Sequence, residues 1–113
     1  MKIEQLFPPP LNKVDFKFSS FKLVPKESGC YVLSTFENHI LYIGLSDNLF
    51  QRFQQHLKKS EKVKPTIEGR AVWFHFTTYD ATNLPKLERT WLNQFETAHG
   101  QKPIMNKIES PIS

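Results

Sequence analysis

Two tyrosines, an arginine and a histidine stand at spacings that would let them do chemistry together. Tyr31 lies in "CYVLSTF" and Tyr42, eleven positions later, in "ILYIG". Arg52 and His56 follow in "DNLFQRFQQH", four residues apart and so on one helical face, with Asn48 a turn earlier. Arginine offers a planar, permanently charged fork suited to phosphate. Histidine changes its protonation near neutral pH. Two phenols facing a common site could position or deprotonate a water, but a free tyrosine has a pKa of about 10. A tyrosine acting as a base therefore needs a nearby cation or metal. Read alone, Ile40 to His56 fits equally well a core strand followed by a solvated helix face. The tyrosines are then ordinary strand aromatics, and Gly29 and Gly44 strand-end turn residues.

The elements that must position these groups are legible from pattern. "CYVLSTF" and "ILYIG" are β-branched and aromatic runs joined by the polar "ENH", which predicts a β-hairpin with Gly44 closing its second strand. Ser46 or Asp47 is placed to cap the following helix, whose apolar face is Leu49, Phe50, Phe53 and Leu57. "KKSEKVKPTIEGR" is polar and lysine-rich, with Pro65 and Gly69 as breakers, and reads as a loop. "AVWFHFTTY" predicts a third strand. Leu84, Leu87, Trp91, Leu92 and Phe95 predict a second helix that ends at Gly100, with a tail that is irregular or a short helical turn.

Residues 1–26 form a separate leader. Its "FPPPL" cannot be helix interior or central strand and reads as an extended arm. Val14, Phe16 and Phe18 alternate with charged residues, as in a short half-buried strand or packed arm. The expected architecture is α+β: a small three-stranded antiparallel sheet flanked by helices, β-β-α-β-α over residues 27–113, with the N-terminal arm before it.

Bulk properties narrow the function class. The 113 residues make one domain. Fifteen Lys and Arg against eleven Asp and Glu give a net charge of +4, compatible with a polyanionic partner. Cys30 is the only cysteine, which excludes an intrachain disulfide and a thiolate zinc cluster. It alternates away from Tyr31 and reads as core. No secretory signal or membrane-length apolar run is evident, so the expectation is a soluble, cytoplasmic protein without membrane contact.

The motifs together resemble the GIY-YIG nuclease superfamily. "GCY" (Gly29 to Tyr31) and "YIG" (Tyr42 to Gly44) resemble its paired motif, with Cys30 in place of isoleucine. Ser46, Asn48, Arg52 and His56 match its S-x-N-x-x-x-R-x-x-x-H helix. Glu88 in "LERTWL" stands where the family has a helical metal-binding glutamate, and "PIMN" (Pro103 to Asn106) resembles its closing P-x-x-N. The resemblance implies a divalent-metal-dependent DNA endonuclease that cuts one strand per active site, of the kind used in DNA repair or recombination. It implies catalytic Tyr31, Tyr42, Arg52, His56 and Glu88, with Tyr31 as the usual base. One Mg²⁺ or Mn²⁺ per site would be held by Glu88, and Glu96 is a rival for that role. DNA contacts are expected from Gly44, Ser46, Asn48 and Asn106, and from Lys58 and Lys59 in the lysine cluster that also holds Lys62 and Lys64. That cluster reads equally well as a solvated loop. Specificity would have to come from the arm, a homodimer, a protein partner or DNA structure. The alternatives are a catalytically silent nucleic-acid-binding or interaction module on the same fold, and a structural α+β protein whose tyrosines are core.

Overall fold

The computed structural model describes residues 1–108, so the domain's predicted end at Ser113 lies outside the described residues. The hairpin forms as its sequence demands. Strand β2 (Gly29–Ser34) pairs antiparallel with β3 (Ile40–Ser46), with Tyr31 opposite Gly44 and Leu33 opposite Tyr42. Strand β4 (Trp73–Thr78) lies antiparallel along the other side of β2.

The sheet has four strands, not three. Strand β1 (Asn12–Asp15), supplied by the leader, pairs antiparallel with β4 and gives the order β1-β4-β2-β3. The physical reason is the unpaired edge that β4 would otherwise present. The leader covers that edge, with Val14 half-buried and Phe16 buried. Farther upstream it straps the second long helix: Trp91 Nε1–H donates to the Pro8 carbonyl at 2.7 Å, and Gln94 exchanges two hydrogen bonds with the Phe7 backbone.

Alternation along β2 splits the core in two. Tyr31 and Leu33 share one face with Tyr42, Phe74 and Phe76, beneath α1 (Leu49–Leu57), α4 (Ile104–Ile108) and the 3-10 turn Phe18–Leu23. Cys30 and Val32 share the other face with Ile43, under Leu84, Leu87, Trp91 and Phe95 of α3 (Leu84–His99). Pro85 sits in the first turn of α3, where its missing N–H costs nothing. Gly100 ends the helix at φ +74°, the left-handed conformation that glycine adopts without a Cβ penalty.

Two details around the first helix differ from the sequence expectation. Its cap is Asn48, not Ser46 or Asp47: Asn48 Oδ1 accepts from the Gln51 N–H at 3.1 Å. Ser46 closes the turn one step earlier, its hydroxyl accepting from the Asn48 N–H at 3.0 Å. The lysine-rich segment expected as a loop contains a one-turn helix, α2 (Ser60–Val63), which carries Lys62 into the interior.

Candidate active site

The hairpin register brings the two phenols together. Because Tyr31 faces Gly44 and Tyr42 lies two residues from Gly44, both rings project from one face, with centroids 5.9 Å apart. The Tyr31 ring lies across Gly44. A Cβ there would stand 2.7 Å from the Tyr31 hydroxyl oxygen and 2.8 Å from Tyr42 Cε2, so a larger residue fits only if the phenols shift. Phe74 stacks on Tyr31 from the neighbouring strand at 5.1 Å.

Helix α1 packs its Leu49 and Phe53 onto this face and thereby delivers His56, which is 1% exposed. His56 Nε2 and the Tyr31 hydroxyl share a hydrogen bond of 2.6 Å. The imidazole also meets the Tyr42 ring edge-on at 5.3 Å. His56 Nδ1 is buried and has no hydrogen-bond partner among the described residues. Burial pushes the His56 pKa down to about 3, assisted by the positive charges of Lys62, Arg52 and Lys59. The ring is therefore neutral at physiological pH.

Arg52 completes the cluster. Its Nε donates to Gln55 Oε1 at 3.1 Å and its Nη1 to the Leu45 carbonyl at 3.5 Å, which fixes the guanidinium beside the end of β3. Its charge acts on the Tyr31 hydroxyl and favours the phenolate. Burial, with Tyr42 nearby, raises the Tyr31 pKa well above that of a free phenol, and Arg52 offsets only part of the rise. The cation that a tyrosine base requires is present, yet burial outweighs it. In the free protein Tyr31 is a phenol.

The structure unites four of the five expected catalytic residues and sets the fifth apart. Glu88 lies on α3, the helix packed against the opposite face, where its charge acts on Cys30. That thiol is buried and pushed up to about 12, first by burial and then by Glu88, so Cys30 is core and not a nucleophile. Burial raises the half-buried Glu88 carboxyl above its usual range, while Arg89 and Lys102 oppose the rise. No ion pair engages it among the described residues. Nor do those residues include a group of three or more His, Cys, Asp and Glu able to enclose a metal. The donor set fits one mode of metal binding: a hard cation that keeps most of its waters and takes a single carboxylate. Glu96 is exposed, two turns farther along α3.

The expected DNA-contacting residues divide by role. Lys58 and Lys59 are exposed at the end of α1, and the charge of Lys59 reaches His56. Ser46 and Asn48 are engaged in the turn and cap already described. Both amide atoms of Asn106 are used internally: Oδ1 accepts from the Ile43 N–H at 3.0 Å, and Nδ2 donates to the Ile43 carbonyl at 2.9 Å. That pair covers the open edge of β3 and pins α4 to it. Lys62, read in the sequence as part of a DNA-following or solvated lysine cluster, is instead 0% exposed and holds Nζ 4.5 Å from the Tyr42 ring centroid. The usable signal was "SEKV", a serine-started helical turn inside a run that otherwise looks solvated.

Residues 27–102 match the family model of the GIY-YIG catalytic domain. The chain belongs to the GIY-YIG nuclease family. The interval contains both motif strands, α1, β4 and α3, while β1 and the Asn106 clamp fall outside it. A further similarity is to UvrABC system protein C of Mycoplasma genitalium, 27% identical over 77 residues. The alignment covers 66% of this chain and 13% of that protein, so this GIY-YIG chain spans only a small part of its relative's length. Among the described residues no helix is long and apolar enough to cross a membrane.

Proposed function

We propose that this chain is a divalent-metal-dependent DNA endonuclease that hydrolyses one strand per active site. The observation that carries the reading is the Tyr31 hydroxyl, hydrogen-bonded to the neutral imidazole of His56 and within the electrostatic reach of the Arg52 guanidinium. A buried phenol with a raised pKa cannot wait as a phenolate. It can accept a proton from water only while passing its own to a neighbour, and His56 Nε2 is 2.6 Å away. In the tautomer with the proton on Nδ1, Nε2 presents the lone pair that this transfer needs. The resulting hydroxide attacks phosphorus. One P–O bond forms, the bond to the 3′ oxygen breaks, and that oxygen takes a proton from solvent. Arg52 balances the charge that gathers on the phosphate oxygens. Tyr42 walls the site and keeps bulk water from the imidazole. When bound, Mg²⁺ or Mn²⁺ supplies charge neutralisation at the phosphate and the leaving oxygen. Glu88 is the carboxylate that would hold it. Exposed Lys58 and Lys59 would follow the DNA backbone, and site choice would come from a second copy or a protein partner.

The separation of Glu88 from the tyrosine cluster favours one second reading, a nucleic-acid-binding module without catalysis. A nicking assay on supercoiled plasmid and branched DNA with Mg²⁺ or Mn²⁺ decides between them. Wild type should nick, while Tyr31→Phe, Arg52→Ala and Glu88→Ala should not, and Glu88→Ala should keep its DNA affinity. Binding without nicking under every metal condition would establish the silent module instead.

A further inference from the structure

The nuclease chemistry above leaves one buried charge without a role. Lys62 is 0% exposed, although lysine ranks among the residues least often buried. Its stem enters from α2, and its ammonium lies over the face of Tyr42, which in turn contacts His56. Surface lysines two and three positions away show that this segment has no shortage of solvated sites for a cation. The fold instead carries this one inside, beside a hydrogen-bonded phenol and imidazole.

We propose that Lys62 is a positioning residue that couples the arrival of a DNA phosphate to the Tyr31–His56 proton pair. The inference rests on the nuclease reading of the site. The groups facing His56 are the phenols of Tyr31 on β2 and Tyr42 on β3, Arg52 on its own helix, Lys59 at that helix's end, and Lys62 on α2. From α4 the nearby core side chain is Met105, which is uncharged, while Lys107 is exposed. All three cations disfavour an imidazolium, and Lys62 contributes most of the three. In the free protein burial, the largest cause, and these cations together keep His56 unprotonated and a poor proton acceptor. A phosphate docked on Arg52 introduces negative charge into the same low-dielectric space and offsets their combined effect. The basicity of Nε2 then rises only when there is a bond to cut. The ammonium held on the Tyr42 ring also fixes that ring against the imidazole, so the pair keeps its geometry before substrate arrives.

The test is an NMR titration of the His56 ring nitrogens in the full chain, assigned by comparison with His56→Gln. Spectra are recorded for the free protein and for protein saturated with a short phosphorothioate DNA duplex, without divalent metal. In wild type, free His56 should remain unprotonated at about pH 5, and the duplex should raise its midpoint toward the ordinary imidazole value of about 6.5. Lys62→Met should raise the midpoint in the free protein, so that the duplex-induced rise starts from a higher value and is smaller. Lys62→Arg, which keeps the charge, should retain both wild-type behaviours. An unchanged His56 midpoint in folded Lys62→Met, free and bound, overturns the proposal. Should Lys62→Met fail to fold, wild type alone decides: a bound duplex that leaves His56 unmoved overturns the coupling. A duplex that does not bind at all refutes the nuclease reading, while the free-protein comparison of wild type with Lys62→Met still decides whether Lys62 holds the imidazole neutral.

Discussion

Replacing Gly44 with alanine adds one methyl group at the point where both phenols converge. The strand backbone there is extended, so the penalty is spatial and not conformational. The new Cβ would stand 2.7 Å from the Tyr31 hydroxyl oxygen, 2.8 Å from Tyr31 Cζ and 2.8 Å from Tyr42 Cε2. An ordinary contact needs about 3.5 Å, so the phenol must retreat by roughly 0.8 Å. Phe74 stacks on the same ring and limits the directions open to it. A displacement of that size directed away from His56 stretches the 2.6 Å hydrogen bond to about 3.4 Å, beyond the usual range. Overpacking of this kind costs about 1–3 kcal/mol, which for a domain near 100 residues lowers Tm by roughly 4–20 °C. Misplacing a reacting group by about 1 Å costs on the order of 100-fold in rate. The assay is plasmid nicking at a temperature where the variant is still folded, paired with a thermal melt. Gly44→Ala that melts and nicks like wild type would refute the claim that this glycine exists to let the tyrosine ring lie across the strand.

Asn106→Ala should lower stability by about 1–2 kcal/mol in urea denaturation, since it uncouples α4 from the Ile43 backbone, and should leave the affinity for DNA unchanged. Weaker DNA binding at full stability would restore the expected DNA contact. Stability should also depend on pH through His56 and His75, whose folded pKa values are lowered to about 3 and about 4, in each case first by burial. Above about pH 6.5 neither the folded nor the unfolded chain binds these protons. Below it the unfolded chain binds them and the native chain does not, so stability falls as pH falls, at up to about 1.4 kcal/mol per pH unit for each histidine. Urea midpoints measured from about pH 7 to 5 should show this slope, and His56→Gln should remove its share.

Much of the fold was readable because it rests on local pattern. The alternation in "CYVLSTF" and "ILYIG" sets the hairpin, the spacing of Leu84, Leu87, Trp91 and Phe95 sets α3, and Gly100 marks its end. Such signals depend on which side of an element must be dry, and that is written every second or every third to fourth residue. The fourth strand was harder to read. Asn12–Asp15 is short and half charged, and only the exposed edge of β4 gives it a reason to be extended.

The sequence by itself determined the residue types and order that mark the family, and it placed Tyr31, Tyr42, Arg52 and His56 on elements able to present them together. Tertiary structure decided what each can do. It buried Tyr31 so deeply that Arg52 cannot make it a standing base, and it set its hydroxyl 2.6 Å from His56 Nε2. It turned Asn106 inward to the Ile43 backbone and placed Glu88 behind the sheet beside Cys30. It also took Lys62 out of a run of solvated lysines and set it against Tyr42. Charge and hydrogen-bonding capacity are properties of a residue. Dielectric, distance and partner are properties of its neighbours, and here those neighbours come from strands and helices remote in sequence.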